Sequence, residues 1–445
     1  MLYKLHTNIF IIGFLTFCVM AGIAYQKAFA LMTVASLVGF VTQMALLISF
    51  SKDEKMHCSE KLLFITVLVY MLFMSFFYMC FSEYYDGDNF MFSKDDAMFY
   101  YKESMRVVNM GLVNGIGSIV KTFAFDDCGA LIYDGVMMYL IPNKLFINLV
   151  NIVLGAISSV FLYRIGRPFM PDLYAFMAAL AYGSSSYLVF FHCSFLKESL
   201  FVFLVINVMY FQYKAIAYNS NQSLIGVAFF LFLIMFFRPA VAAFLIMSIA
   251  IYYAIKTKGH AISLFLYIVA AVGFAISLKS MQEIVERNTL GGDIDAVVAD
   301  TNNAAYSSSF NYFVSFFGAI FGPFPSLFPK PSGPSYMEFL SAGLVYKLFL
   351  VMYFWLGIYS IIKKYVVELF PLALFILIEM LLTGAVCASL ELRKVLLHVP
   401  FMYIIAFYGI YKVPLTTRLN SLPILAFNSF VVGVLFLWNV LKVKN

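Results

Sequence analysis

Runs of about 17–23 apolar residues recur along this chain and most constrain its fold, because a helix of that length crosses a roughly 30 Å hydrocarbon core. The runs do not alternate between apolar and polar residues over about ten positions, as the strands of a membrane barrel do. Only 12% of the residues are charged, against about 25% in a typical soluble domain. The sequence therefore predicts an all-α fold, a polytopic bundle of transmembrane helices.

We predict about thirteen spans, within a range of 11–14, in a single integral membrane domain covering residues 1–445. The first run is interpreted as an anchor, because no small-x-small cleavage site precedes the second. The predicted spans are 8–24, 28–50, 61–81, 145–163, 171–191, 198–213, 223–237, 239–255, 261–278, 341–362, 366–388, 395–411 and 422–441.

The orientation follows from Lys and Arg in the short loops, since positive side chains resist translocation. With a cytoplasmic N-terminus, twelve of these cations lie inside, whereas Lys442 and Lys444 conflict by lying outside. This topology leaves two long outer segments, 82–144 and 279–340, and predicts a multi-pass protein of the bacterial cytoplasmic membrane. The twelve cations are Lys52, Lys55, Lys61, Arg164, Arg167, Lys214, Lys256, Lys258, Lys363, Lys364, Lys412 and Arg418.

The first outer segment is acidic and aromatic, and it contains Asp95 and Asp96. Apolar residues spaced along 96–110 predict an amphipathic helix at the membrane surface, with one of the two carboxylates at its start. Two interpretations of the pair stay open: a catalytic or metal-binding site, and a solvated acidic loop with a helix cap. The segment also contains the acidic residues Glu83, Asp86, Asp88, Asp126, Asp127 and Asp134.

Four cations break the charge bias by falling on the predicted outer side: Lys197, Arg238, Arg393 and Lys394. Each could snorkel to the membrane surface or meet anionic lipid. Their convergence on one side instead favours a phosphate site, since Arg offers a planar fork to phosphate oxygens and Lys a point charge.

Glu379 lies near the middle of a predicted span, where a carboxylate must be paired, protonated or facing a polar cavity. It is a functional candidate, or a neutral acid hydrogen-bonded between helices. In the second outer segment, 310–320 predicts a re-entrant or interfacial helix, and the proline-rich 321–331 predicts a stiff loop that caps the outer cavity or packs on the bilayer. The chain has no phosphate loop, dinucleotide fingerprint, Cys-x-x-Cys or His-Glu-x-x-His pattern.

An Asp-containing outer segment with an interfacial helix, short inner turns and outward cations near span ends resembles the GT-C class of bacterial membrane glycosyltransferases. The resemblance is strongest to the group related to protein mannosyltransferases and RgtA/B/C/D-like enzymes. The segments 195–200, 237–239 and 322–325 also resemble polysaccharide polymerases of capsule and O-antigen clusters. In the GT-C class the first outer segment usually follows the first span, whereas here it follows the third.

The resemblance implies inverting glycosyl transfer from a polyprenyl phosphate or pyrophosphate carrier to a cell-surface glycan or lipid acceptor, on the outer face. Asp95 or Asp96 would act as general base, alone or with a divalent cation such as Mg or Mn. The leaving phosphate would be stabilised by Lys197, Arg238, and Arg393 or Lys394.

Tyr100 and Tyr101 would stack on sugar or anchor the helix at the interface.

One alternative to this glycosyltransferase function is a Wzy-type repeat-unit polymerase. Another is a flippase for lipid-linked oligosaccharides, which would concentrate charge within the spans and show inverted repeats. A purely structural membrane subunit is the third, and no nucleic-acid partner is expected.

Overall fold

The computed structural model describes residues 59–87, 94–123, 125–218, 220–257, 322, 325, 336–386, 396–413 and 421–444. Within these ranges the protein is 88% helical and has no strand. The predicted all-α class is therefore confirmed for this part of the chain.

The described ranges form fourteen α-helices, and a short 3₁₀ turn, Val367–Leu369, precedes α12. The helices are α1 Glu60–Asp86, α2 Lys94–Met110, α3 Leu112–Thr122, α4 Phe125–Leu140, α5 Lys144–Gly166, α6 Asp172–Ser184, α7 Ser186–Cys193, α8 Glu198–Tyr218, α9 Asn221–Met235, α10 Pro239–Thr257, α11 Tyr336–Lys364, α12 Phe370–Val386, α13 Val399–Lys412 and α14 Leu422–Lys444.

Local sequence signals set the ends of the two helices that frame the first outer segment. The Ser59 hydroxyl accepts a hydrogen bond from the Leu62 amide at 3.1 Å and so caps the start of α1. This helix ends at Gly87, whose φ of +69° lies in the left-handed region that favours glycine. The Asn143 side chain caps α5 by accepting from the Leu145 amide at 2.9 Å.

Four helices are long and apolar enough to cross a membrane: Glu60–Cys80, Lys144–Gly166, Glu198–Tyr218 and Gly343–Lys364. A fifth span arises if the bent pair α6 and α7 is counted as one. The predicted spans 223–237, 239–255, 366–388, 395–411 and 422–441 correspond to α9, α10, α12, α13 and α14. The apolar parts of α9, α10, α13 and α14 are shorter than those of the four long helices. The runs 8–24, 28–50 and 261–278 lie outside the described residues, so the count of 11–14 stays a prediction.

The predicted continuous span 171–191 is instead broken at Ser185, where α6 and α7 meet at 54°. Ser185 is extended, with φ −64° and ψ 115°, and its hydroxyl accepts from the Tyr403 hydroxyl at 3.3 Å. The Ser186 hydroxyl accepts from the Gly343 amide at 2.8 Å. The break therefore occurs where serine hydroxyls supply polar partners inside an otherwise apolar bundle.

Helices α11 and α13 cross closely because glycines face each other there. A Cβ on Gly409 would lie 2.1 Å from the Tyr353 carbonyl oxygen, and one on Gly357 would lie 2.2 Å from the Ile405 carbonyl oxygen. No real Cβ tolerates such distances, so the two backbones are in direct contact. This small-residue packing is typical of helices in membranes, where close approach replaces the hydrophobic effect.

Helix α5 lies at the centre of the bundle and packs against α1, α6, α7 and α8. Arg164, near the end of α5, holds Glu60, at the start of α1, through two hydrogen bonds of 2.9 and 2.6 Å. The two helices are therefore antiparallel. The Ser199 hydroxyl at the start of α8 donates to the Asn151 carbonyl, at 3.1 Å, near the start of α5. Hence α8 begins at the end of the bundle opposite Arg164, where the first outer segment also lies.

The first outer segment was predicted to contain one amphipathic helix over 96–110, and α2 covers it. The segment also contains α3 and α4, and α1 continues to Asp86. The buried face of α2 has Ala97, Tyr100, Ser104 and Val107 at helical spacing and packs on α4. This face is thus covered by protein, while the predicted surface residues Phe99 and Met110 are exposed.

Of the second outer segment, the structure describes Gly322, Pro325 and the first residues of α11. Gly322 and Pro325 are both buried. The Lys347 ammonium donates to the Gly322 carbonyl, and the Asn439 amide donates to the Pro325 carbonyl at 3.2 Å. Buried side chains of α11 and α14 thus hold this stretch, while the predicted helix over 310–320 lies outside the described residues.

Candidate functional site at the start of α8

Two buried carboxylates, one on α4 and one at the start of α8, lie within Coulombic range of each other. Asp134 is 2% exposed and Glu198, the first residue of α8, is 3% exposed. Asp134 Oδ2 and both carboxylate oxygens of Glu198 have no hydrogen-bond partner among the described residues. Burial of unsatisfied carboxylates is costly, so such a pair is a functional candidate.

The charge of Asp134 depends on its surroundings. Helix α4 is not one of the four long apolar helices, and it belongs to the predicted outer segment. Burial raises the pKa of Asp134 to about 8, with a further upward contribution from the Glu198 carboxylate and an opposing one from Lys197. Asp134 therefore keeps its proton at neutral pH and can donate a hydrogen bond.

Polar side chains of α5 line the same junction. The Tyr133 hydroxyl, next to Asp134 in sequence, donates to Asn151 Oδ1 at 3.0 Å. Asn151 Nδ2 in turn donates to the Ser194 carbonyl at 3.5 Å, in the turn that leads into α8. Asn148, one helical turn before Asn151, is buried, and its Oδ1 has no partner in the described part of the chain. Buried oxygens without a described partner thus occur on α4, on α5 and at the first residue of α8.

A chain of buried hydrogen bonds fixes the first turn of α8. The Ser199 hydroxyl donates to the Asn151 carbonyl, so it accepts from His192 Nδ1 at 2.7 Å. With the proton on Nδ1, His192 Nε2 accepts from the Tyr182 hydroxyl at 2.6 Å. These bonds join α5, α6 and α7 to the residue that follows Glu198, and so hold the Glu198 backbone in place.

The structure brings four of the predicted site residues to this junction. Lys197 Nζ lies 5.9 Å from the ring centroid of Tyr100. The Tyr101 ring lies 6.1 Å from that of Phe195, so α2 covers the turn before α8. Arg238 Cζ lies 5.6 Å from the centroid of Phe201, one turn after Glu198.

The turn that contains Arg238 also contacts α4 through its backbone. The Gly129 amide donates to the Phe236 carbonyl at 2.9 Å. A Cβ on Gly129 would lie 2.6 Å from that oxygen, so only glycine allows this approach. The backbone contact places the Arg238 turn beside the helix that carries Asp134.

The remaining predicted residues stand as follows. Asp95 and Asp96 lie in the first turn of α2, one turn before Tyr100, and Asp96 is half-buried. The side chain of Asp95 and the residues Arg393 and Lys394 lie outside the described parts. The proposed base and the second pair of phosphate ligands therefore stay predictions.

The sequence analysis did not select Asp134 or Glu198 as site residues. Asp134 is one of several acids in its segment, and Glu198 follows the conspicuous Lys197. A usable signal was the position of Glu198 at the first residue of an apolar span. Burial, which separates these two carboxylates from the others, is visible only in the folded protein.

Metal ligation has limited support. No group of three or more His, Cys, Asp or Glu side chains suited to a metal occurs within the described ranges. Asp134, Glu198 and Asn148 offer oxygen atoms of the kind that Mg and Mn prefer. The divalent cation predicted for Asp95 and Asp96 stays a prediction.

Glu379 belongs to a second buried centre, between α12 and the turn before α13. It is 2% exposed, and its Oε2 lies 2.5 Å from His398 Nδ1. Glu379 therefore has a buried hydrogen-bond partner, His398, and the alternatives predicted for an acid in a span stay predictions. Lys347 of α11 is within Coulombic range of Glu379.

A comparison with protein-family models finds no match for this chain, and no curated protein matches its sequence.

Proposed function

We propose that this chain is a membrane glycosyltransferase that uses a polyprenyl-phosphate-type donor on the outer face of the bacterial cytoplasmic membrane. The observation that carries the proposal is the buried pair Asp134 and Glu198, with Lys197 beside it, at one end of a bundle of apolar helices. The pair combines a proton acceptor and a proton donor in a water-poor site. The adjoining cation matches a phosphate leaving group.

In the proposed reaction, Glu198 replaces Asp95 and Asp96 as the first candidate for general base. Asp134 keeps its proton, and Glu198, the carboxylate next to Lys197 in sequence, is the proposed proton acceptor. Glu198 takes the proton from the acceptor hydroxyl while the acceptor oxygen bonds to the anomeric carbon. The bond from that carbon to the phosphate oxygen breaks, and its electron pair stays on the phosphate. Direct displacement inverts the anomeric configuration.

The other residues have supporting roles in this proposal. Lys197 and Arg238 bind the leaving phosphate, and the protonated Asp134 donates to an oxygen of the acceptor or of the sugar. Tyr100 holds Lys197 through its ring face. A divalent cation at Asp95 and Asp96 would serve the same phosphate. The acceptor in this proposal is a cell-surface glycan or lipid.

Two alternatives to this function were predicted from the sequence. A Wzy-type repeat-unit polymerase would use the same chemistry with a larger transferred group. A flippase for lipid-linked oligosaccharides is favoured by the buried centre at Glu379, because ionisable groups inside a helical bundle are typical of transport pathways.

The test uses purified protein in liposomes with labelled lipid-linked sugar donors and a panel of acceptors. We expect Glu198→Gln to lower the transfer rate by about 100-fold or more, the usual effect of losing a general base. Asp134→Asn keeps a hydrogen-bond donor and should lose less. Asp172→Asn is the matched control, since Asp172 pairs with Arg167 at 2.9 Å on the opposite end of the bundle.

Full activity in Glu198→Gln would show that the base is elsewhere. The variants Asp95→Asn and Asp96→Asn, assayed in parallel, would then test whether Asp95 or Asp96 is the general base. Movement of labelled lipid across the bilayer without a glycosylated product would favour the flippase instead.

A further inference from the structure

Asn151 lies between the two elements that carry the buried carboxylates of the candidate site. Asp134 belongs to α4 and Glu198 is the first residue of α8, and both helices pack against α5. Asn151 is a residue of α5 and is 0% exposed. Helix α5 is therefore the element that α4 and α8 share, and hydrogen bonds of Asn151 reach both of them.

The side-chain amide of Asn151 binds α4 and the turn before α8. The hydroxyl of Tyr133, the residue before Asp134, donates to Asn151 Oδ1 at 3.0 Å. Asn151 Nδ2 donates to the Ser194 carbonyl at 3.5 Å. A carbonyl can only accept, so this bond places Nδ2 on the Ser194 side and leaves Oδ1 for Tyr133. The two partners together set the orientation of the amide.

The backbone of Asn151 binds the first turn of α8. Its carbonyl accepts from the hydroxyl of Ser199 at 3.1 Å, and Ser199 directly follows Glu198. A hydroxyl has one proton, so the Ser199 oxygen accepts from His192 Nδ1, at 2.7 Å. Ser199 is thus held from two sides, by α5 and by α7.

Gly155, one turn after Asn151 on α5, gives the His192 ring its place. A Cβ on Gly155 would lie 3.0 Å from His192 Cγ and 3.0 Å from Met71 Sδ. The imidazole therefore lies directly against the backbone of α5, with little room to turn. This fit keeps Nδ1 directed at Ser199.

These bonds lie where water does not compete for them. Asn151, Ser194 and Ser199 are each 0% exposed. A buried hydrogen bond that is lost leaves its donor or acceptor unpaired, which is costly, so such bonds hold their partners in one arrangement. Each carboxylate is thus the sequence neighbour of a residue that Asn151 binds.

We propose that Asn151 is a positioning residue that sets the separation between Asp134 and Glu198. It acts through Tyr133 on one side and Ser199 on the other, and it does not contact the substrate. A proton donor and a proton acceptor that serve one reaction must be held to within about 0.5 Å. The consequence for sugar transfer rests on the proposed function, whereas the separation of the carboxylates does not.

The competing role for a buried Asn is to join helices through hydrogen bonds with no effect on a particular pair of side chains. Asn207 of α8 provides the comparison, because it is 2% exposed and its Nδ2 donates to the Phe203 carbonyl of the same helix at 2.8 Å. Asn207→Leu is therefore the matched control for Asn151→Leu.

The first measurement needs no sugar transfer. It follows the infrared carboxyl band of protonated Asp134 against pH in the full chain in nanodiscs, and the band is assigned by its loss in Asp134→Asn. The midpoint in the natural protein should lie at about pH 8. Glu198→Gln removes the like charge and should lower the midpoint by about one pH unit. In an Asn151→Leu background the same change should have about half this effect or less, while the opposing charge of Lys197 stays constant.

The second measurement is sugar transfer with kcat and KM determined separately. Asn151→Leu and Ser199→Ala should lower kcat by about tenfold or more and change KM by less than about twofold, since the reacting groups lose alignment and the substrate keeps its contacts. Ser159→Ala is the matched control for Ser199→Ala, because the Ser159 hydroxyl donates to the Gly155 carbonyl of its own helix at 3.3 Å. Ser159→Ala and Asn207→Leu should change neither constant.

Three results would overturn the proposal. The first is an equal effect of Glu198→Gln on the midpoint of Asp134 in the natural protein and in Asn151→Leu. The second is no effect in the natural protein, since the two carboxylates would then not be close. The third is an equal loss of kcat in Asn151→Leu and Asn207→Leu, which would show that both amides only join helices.

Milder variants keep the proposal testable if Asn151→Leu does not fold. Tyr133→Phe and Ser199→Ala each remove one bond to Asn151 and take its place in both measurements. Unequal infrared shifts without any sugar transfer would reject the proposed function alone. Equal infrared shifts in a protein that transfers sugar would reject the role of Asn151 alone.

Discussion

Replacement of Asp134 by Asn should change how the stability of this protein depends on pH. Burial and the neighbouring Glu198 carboxylate raise the pKa of Asp134 from the usual 3.8 to about 8 in the folded protein. Between these two values the folded protein binds the proton and the unfolded chain does not. Raising the pH therefore favours the unfolded chain, and stability is lost between about pH 4 and pH 8.

The size of the effect follows from the two pKa values. At about 1.4 kcal/mol per pH unit, the free energy of unfolding should fall by on the order of 5 kcal/mol from pH 4 to pH 8. Above pH 8 the contribution is constant. Asn cannot ionise and resembles the protonated acid in shape, so Asp134→Asn should lack this loss and be more stable than the natural protein at pH 8.

The assay is thermal unfolding in one detergent at several pH values from 5 to 9. Asp172→Asn serves as control, because Asp172 is 49% exposed and its pairing with Arg167 contributes little at a surface. Glu198→Gln should weaken the pH dependence, since it removes the like charge beside Asp134. Parallel melting curves for Asp134→Asn and the natural protein at every pH would refute the assignment of a buried, protonated Asp134.

Two further predictions concern the bundle itself. Gly409→Ala should lower the free energy of unfolding by about 1–3 kcal/mol, since its Cβ would meet the Tyr353 carbonyl at 2.1 Å. Gly433→Ala is the control and should not lower it, because a Cβ there has nothing within 4 Å. Equal melting temperatures for the two variants would contradict the close crossing of α11 and α13. A double-mutant cycle on Glu60 and Arg164 should give a coupling free energy below about 1 kcal/mol, because the side chains are 38% and 40% exposed. A much larger coupling free energy would mean that the ion pair is effectively buried.

Much of the fold could be predicted because it depends on local patterns. Apolar runs of helical length involve only residues that are close in sequence. The same is true of helix caps such as Ser59 and Asn143, whose hydrogen bonds do not depend on tertiary contacts. The helix over 96–110 was found for the same reason. The break at Ser185 was not predicted, because it depends on Gly343 and Tyr403, which are distant in sequence.

The candidate site was predicted only in part. Lys197 and Arg238 were predicted because they fall on the predicted outer side against the charge bias, and in the structure Lys197 lies over Tyr100 and Arg238 over Phe201. Asp134 could not be told from its acidic neighbours, since nothing in the sequence marks which carboxylate is buried. The same holds for His398, whose partner Glu379 lies on a separate helix.

The sequence by itself determined that this protein is helical and that charge is rare in its apolar runs, because hydrophobicity and helix length act along the chain. Only the tertiary structure decided which charged groups share a low-dielectric interior. Burial depends on contacts between separate helices, such as α2 with α4 and α11 with α13. It is burial that keeps a proton on Asp134 and joins Lys347, Glu379 and His398 in one centre.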